Sequence, residues 1–335
     1  MAASGKMTGE HGKKLIFLLI ALAVIIAAIL IVPGLFEKEE TILPETGSAD
    51  FGTLVKKEYN GKTYVERQGL TPILFIGVDR GENAGEQWGY QQGGQADFLL
   101  LMVADPSERK VSMLQIDRDT ITDVETLGVL GNVIGTRQLQ IALSHSFGRT
   151  QDDNCAYTVK TVSNLLQGQP LELYFSINMS AIARLNDLLG GVTVTMQEDH
   201  SNINPAFTKG ATVHLMGQDA YDYVHSRWYV DDGTNVSRMA RQRNYMLAAK
   251  DTLLSRLKES GFVDTLFDTL GSDLVTNVSR GRLINEAAKA SQYEVEEITQ
   301  MIGERRIGVD GYMEFYADEQ FLIDWVLSVF YREYK

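Results

Sequence analysis

The chain has 335 residues, 44% hydrophobic and 22% charged, with a formal net charge of −13 at pH 7. That is globular composition with apolar material for a sizeable core, and its acidic balance argues against nucleic acid as a partner. The single cysteine, Cys155, excludes an intramolecular disulfide and with it a disulfide-stapled secreted scaffold.

In chain order, the first feature is the uninterrupted apolar run Leu15 to Val32, closed by Pro33-Gly34. At about 1.5 Å rise per residue it is just long enough to cross a bilayer. Lys6, Lys13 and Lys14 precede it, and Glu37-Lys38-Glu39-Glu40 follows. This lysine excess predicts a cytoplasmic tail over 1–14, a plasma-membrane signal-anchor over 15–36, and an external bulk. A cleaved signal peptide is the competing reading. The run, however, exceeds the roughly 7–15 residues of a signal-peptide core and lacks a small-x-small cleavage site. Leu43 to Gly47, "LPETG", looks like a sortase pentapeptide, yet its apolar segment precedes it and the chain ends in "FYREYK". It reads as an exposed part of a 37–70 linker that also holds a hairpin around Asn60-Gly61.

Three continuous apolar runs, "PILFIGV" (72–78), "FLLLMVA" (98–104) and "VSMLQI" (111–116), have the character of strands buried on both faces. Residues 137–147 and 155–166 fit helices. "LYFSIN" (173–178) then reads as a strand, 179–191 as a helix stopped by Gly190-Gly191, and "VTVTM" (192–196) as an alternating strand. From 238 onward the pattern is mainly helical. Buried strands with intervening helices predict an α/β domain, with helices on both faces of the sheet, over 71–335.

Chemistry concentrates at two places. Asp79-Arg80, Asp97 and Arg118-Asp119 lie at the ends of the three apolar runs, and a Gly-rich loop (81–96) follows the first. Ligand sites in open α/β sheets form at such strand ends. Carboxylates without cysteine or ligand-spaced histidine suit a hard cation such as Mg²⁺. Taken singly, each aspartate is also a turn cap or an ion-pair partner. The second place is "DDGTNVSRMARQRN" (231–244), a loop running into a helix with Asn235 or Ser237 as N-cap. At about 100° per residue, Arg238, Arg241 and Gln242 share one face, while Arg243 falls in the apolar stripe. Arg238 and Arg241 stand in the first turn, where the helix dipole disfavours cations unless an anion or the nearby Asp231 and Asp232 balance them.

Together these stretches resemble the LytR–CpsA–Psr family, membrane-anchored glycopolymer transferases of Gram-positive envelopes. The carriers are "ILFIGVDR", "ADFLLLMVADPSERKVSMLQIDRDT", "YTVKTVSNLLQGQPLELYFSINMSAIARLNDLLGGVTVTM", "LMGQDAYDYVHSR" and "DGTNVSRMARQRNYMLAAK", together covering roughly 70–250. The resemblance implies a three-layer α/β/α sandwich with a mixed central sheet, whose apolar tunnel takes a polyprenyl chain. It implies that Arg80, Arg118, Arg227 and Arg238, with Gln242, contact the pyrophosphate, and Arg241 joins this set by sharing its face. Asp79 and Asp97 would bind Mg²⁺, with Mn²⁺ as a substitute. The implied reaction moves a phospho-glycan (teichoic acid, capsule or a similar polymer) from polyprenyl pyrophosphate to a peptidoglycan hydroxyl, such as C6 of N-acetylmuramic acid. Asp119 and Asp232 are the two candidates for accepting the hydroxyl's proton.

Two positions depart from the family pattern: His225 stands where arginine is frequent, and Asp117 where proline is common before Arg-Asp. Two other functions fit the same residues: a lipid-pyrophosphate hydrolase, and a membrane-anchored protein that only binds the glycolipid.

Overall fold

Asn60 and Gly61 both adopt positive φ, 50° and 72°, the backbone a two-residue hairpin turn demands. They join β1 (Lys56–Tyr59) to β2 (Lys62–Glu66). The computed structural model describes residues 56–79, 93–128, 132–226, 234–256, 262–280, 282 and 293–334. The predicted tail, signal-anchor and most of the linker lie outside them. Among the described residues no helix is long and apolar enough to cross a membrane.

Three strands follow the hairpin: β3 (Thr71–Asp79), β4 (Gln95–Asp105) and β5 (Lys110–Ile116). They are the three apolar runs, paired antiparallel in sequence order. Next come β6 (Ile121–Leu127) and β7 (Val133–Gln140), a two-stranded ribbon, and a 3₁₀ turn at Ile141–Ser146. The predicted helix over 137–147 is therefore a strand end plus a tight turn. A short mixed window fits both periods, and the pairing of Arg137 with Val124 and Leu139 with Thr122 decides for the strand.

Helix α1 (Gln151–Leu165) starts on a capping box of Thr150 and Asp153. Strand β8 (Leu173–Asn178) leads into α2 (Ile182–Leu188). Gly190 and Gly191 end that helix at φ 84° and 88°. Then come β9 (Val192–Thr195) and β10 (Thr212–Leu215) as a pair, α3 (Gly217–His225), α4 (Asn235–Arg256) and α5 (Phe262–Leu270).

The expectation of a mainly helical C-terminal part fails. It supplies β11 (Leu274–Thr276), β12 (Glu294–Gln300), β13 (Gly303–Ile307) and β14 (Met313–Ala317), before α6 (Glu319–Phe330) and β15 (Tyr331–Glu333). "EVEEITQ" is charged because it is an edge strand, and charge on an edge blunts unwanted pairing. That disguises its period.

The central sheet has the order β11-β8-β3-β4-β5-β12 and is mixed: β3 pairs parallel with β8, and β5 with β12, while the other pairs are antiparallel. Alternation along β3 sends Ile73 and Phe75 to one face, where Tyr223, Ala249 and Leu266 of α3, α4 and α5 meet them. Leu74, Ile76 and Val78 go to the other, against Val159 of α1 and Trp325 of α6. Each fully buried Leu or Phe contributes about 1.5–3 kcal/mol relative to exposure. Strand β15 pairs with β2, so the last residues close the first hairpin into a three-stranded sheet.

One irregularity positions the chemistry. Gly77 faces Phe98 and Val78 faces Ala96, so Asp97 is the unmatched residue of a bulge in β4. A bulge re-aims its side chain and commonly borders an active site. It also presses the strands together, since a Cβ on Gly77 would sit 2.9 Å from the Cβ of Phe98. Gly77→Ala is therefore expected to cost about 1–3 kcal/mol, read as a lower melting temperature. An unchanged melt would show that the bulge relaxes freely.

Candidate active site

The bulge drives Asp97 inward, to 6% exposure. Two guanidiniums close on it. Arg118 stands in the turn after β5, where Thr120 N–H donates to Asp117 O at 3.0 Å. Its Nη1 donates to Asp97 Oδ1, and its Nη2 to Gln95 Oε1. Arg238 comes from the first turn of α4. Its Nη1 donates to Asp97 Oδ2 at 3.1 Å and its Nη2 to Asn235 Oδ1 at 2.8 Å. One carboxylate thus accepts from both guanidiniums, Arg118 on one oxygen and buried Arg238 on the other. This pair stands beside the free N–H groups of a helix start, whose dipole favours a further negative charge. The cap there is Thr234, whose Oγ1 accepts from Ser237 N–H at 3.3 Å, in place of the expected Asn235 or Ser237.

A second carboxylate holds the first layer in place. Asp117 Oδ1 accepts from Asn235 Nδ2 at 2.8 Å and from Asp119 N–H at 3.0 Å. Its Oδ2 pairs with Arg305 of β13. Asp117 is 1% exposed and reaches Arg238 through Asn235. The C-terminal ribbon also braces Asp119: Phe315 N–H donates to Asp119 O at 2.9 Å. Gln140 Nε2 lies 3.3 Å from Asp119 Oδ1 and 2.6 Å from Met313 O. Asp119 Oδ1 is itself 3.4 Å from Arg118 Nε.

The arginines of 238–243 divide. Arg241 is buried behind the site, where it donates to Tyr223 O at 2.9 Å and to Ser226 O at the end of α3. Its fork is spent on helix-end carbonyls, which suits support rather than the ligand contact expected of it. Gln242 Nε2 donates to Val224 O at 3.3 Å, while its buried Oε1 has no hydrogen-bond partner among the described residues. Arg243 donates to Gln115 Oε1 at 2.7 Å, and burial pushes its pKa down.

At the mouth, His225 Nε2 lies 3.0 Å from Asp79 Oδ2, and its ring stacks on Tyr221 at 4.6 Å between centroids. The hydrogen bond to His225, aided by the fields of His225, Arg238 and Arg118, holds Asp79 below its ordinary pKa against partial burial. Single donor atoms from Asp79, Asp97 and His225 lie within 4.8 Å of one another. Arg80, Arg227 and Asp232 fall outside the described residues.

Beside the cluster, an almost wholly apolar cavity of about 160 Å³ opens between sheet and helices. Its lining includes Phe75, Phe98, Phe175, Met179 and Tyr245. Three lining residues tie it to the cluster: Phe98 adjoins Asp97, Val224 adjoins His225, and Gln242 lies one turn after Arg238.

The sequence pattern of the LytR_cpsA_psr family matches residues 43–323. The chain belongs to this family. Among its curated relatives, the polyisoprenyl-teichoic acid–peptidoglycan teichoic acid transferase TagU of Bacillus cereus is 26% identical over 250 residues, spanning 74% of this chain and 73% of that protein. The crystal structure of Bacillus subtilis TagU superposes at a TM-score of 0.52 and 24% identity, over 77% of this chain and 94% of that one. A structure of TagT bound to LIIa-WTA gives 0.57 at 23% identity, over 78% and 89%. At these identities the structures establish a shared fold.

Asp117, just before Arg118-Asp119, becomes an anchor here. Sequence reasoning missed the roles of Asn235, Gln95 and Arg305, and the only signal was the unexplained Asp117. Arg305→Ala removes the cation facing a buried carboxylate. Because Arg305 is 34% exposed, the cost falls below the full buried-pair penalty, at about 2 kcal/mol. It should be readable as a lower denaturation midpoint, and Asp117→Asn with Arg305→Ala should cost less than the two summed. Additive losses would show that the two side chains act independently.

Proposed function

We propose that this chain transfers a phospho-glycan from a polyprenyl-pyrophosphate carrier to a hydroxyl of peptidoglycan. The observation that carries this is the pair Arg118 and buried Arg238, converging on Asp97 beside an apolar cavity. A pyrophosphate joined to a long hydrocarbon is the ligand that asks for both at once. The cavity takes the isoprenoid end by burying apolar surface, and the guanidinium forks take the phosphate oxygens. The teichoic acid transferase activity for which the relatives are named supports the same reading. Residues 15–36 would anchor the chain in the plasma membrane, with the domain outside.

Phosphoryl transfer asks the protein for positioning and for stabilisation of charge on the phosphate oxygens. The acceptor oxygen attacks the glycan-bearing phosphorus, the bond from that phosphorus to the bridging oxygen breaks, and polyprenyl phosphate leaves. Arg118 and Arg238 face the non-bridging oxygens, joined by Arg80 and Arg227 in the family's pattern. Gln242 adds its amide at the junction of pyrophosphate and lipid. The hydroxyl's proton passes to a carboxylate. Asp119 adjoins the pair on Arg118's own turn, and Asp232 is the alternative. Asp79 and Asp97 fit a divalent cation such as Mg²⁺ or Mn²⁺, with His225 within reach as a third donor. When bound, the cation would neutralise charge on the pyrophosphate.

Arg238→Ala should lower transfer by about 10²–10³ while the fold persists, and Arg238→Lys should recover part of it. Lysine restores the charge but not a fork that spans Asp97 and Asn235. Transfer by Arg238→Ala at the wild-type rate would refute the assignment. Release of phosphorylated glycan with no acceptor present would identify a hydrolase instead.

A further inference from the structure

A second cavity, of about 410 Å³, lies on the other side of the sheet from the apolar one, between the start of β4, the β6–β7 ribbon and the 3₁₀ turn. Its size falls within the roughly 300–1,000 Å³ of small-molecule sites, and its chemistry is mixed. Gln95, Thr126, Arg137 and Ser146 supply polar atoms, while Leu139 and Phe147 supply apolar ones.

The polar groups keep capacity to spare. Thr126 Oγ1 donates to Gly135 O at 3.1 Å and Ser146 Oγ to Gly94 O at 2.8 Å. Each hydroxyl therefore has its proton placed and its lone pairs left to accept from a ligand. Gln95 spends its Oε1 on Arg118, leaving an amide NH₂ to donate. Arg137 is the cavity's charge. The neighbouring acids are already engaged: Glu125 with Lys160 at 2.7 Å, and Asp123 with Gln138. Arg137 has no ion pair among the described residues. Apolar Ile134, 64% exposed, sits at the rim.

We propose that this cavity binds the acceptor saccharide, an N-acetylhexosamine unit bearing a lactyl-peptide carboxylate, with Arg137 as the carboxylate's partner. The assignment rests on the transferase reading above. Uncharged sugar hydroxyls and acetamido groups match Gln95, Thr126 and Ser146. The ring's apolar face and the methyl groups match Phe147, Leu139 and Ile134, and the carboxylate matches Arg137, the cation of this lining. Position adds a separate argument. Gln95 touches both the cavity and Arg118, so an occupant lies one side chain from the phosphate forks. The lipid cavity approaches the same cluster from the opposite face of the sheet. In-line displacement needs the attacking and leaving oxygens on opposite sides of phosphorus, and two cavities flanking one arginine pair provide that arrangement.

The test is calorimetric titration of the full chain in detergent with two probes, N-acetylglucosaminyl-N-acetylmuramyl dipeptide and chitobiose. The muramyl probe should bind more tightly. Arg137→Ala should weaken it about tenfold, the scale of a lost hydrogen-bonded charge pair, with chitobiose binding unchanged. Arg137→Lys should restore part of the loss. Arg137 is exposed on a ribbon, so the variants should fold, and their melts will check this. Wild type that does not bind the muramyl probe, or an Arg137→Ala chain that binds it equally well, overturns the assignment. If the probe binds through Arg137 but no phospho-glycan is ever transferred, the cavity stands and the transferase reading falls. If Arg137→Ala transfers with an unchanged KM for the acceptor, the cavity falls and the transferase reading stands.

Discussion

Asp97 holds two arginines with one carboxylate, and the site depends on that junction. Arg118 and Arg238 arrive from a strand end and a helix start far apart in sequence, and mutual repulsion would separate them without an anion between. Asp97 stands between them with one oxygen to each, and Asp119 adds a second carboxylate 3.4 Å from Arg118 Nε. Arg238 is buried beside a helix N-terminus, where charges interact strongly in a low-dielectric setting.

Such a cluster holds its shape only if its backbone is fixed. The bulge that aims Asp97 requires a close approach at Gly77, and the turn that aims Arg118 is tied by Asp117. Asp117 in turn fixes Asn235, which orients Arg238, and it is itself neutralised by Arg305. A buried carboxylate with an incomplete set of partners would be costly. Here both oxygens are engaged, so the anchoring layer is rigid at little expense. The β13–β14 ribbon thereby becomes part of the site's foundation, although its residues lie roughly two hundred positions from the aspartates they brace.

Cavities of opposite chemistry flank the cluster. The apolar one follows from the sheet packing against α2, α3 and α4, where Gly77 and the aromatic residues leave room. The mixed one arises because the β6–β7 ribbon stands away from the start of β4. Gln95 links the mixed cavity to Arg118, and Phe98 of the apolar one adjoins Asp97, so both border the same cluster.

The sequence alone determined the three central strands, the Asn60-Gly61 hairpin, the Gly190-Gly191 helix stop, and the helical phase that sets Arg243 apart from Arg238 and Arg241. Each of these is local: period, turn chemistry and helical phase act over a few residues. The candidates Asp79, Asp97, Arg118 and Arg238 were legible because strand ends and helix starts are local features too. The helix expected at 137–147 and the helical C-terminal part were misread, since a charged or mixed strand shows its period only beside its partner. Tertiary structure decided that Arg241 serves helix-end carbonyls, that Asp117 anchors Asn235, and that Arg305 reaches the site. Those are contacts between segments brought together by sheet order and the closing of the chain's two ends, and no local pattern encodes which distant group will neutralise a buried charge.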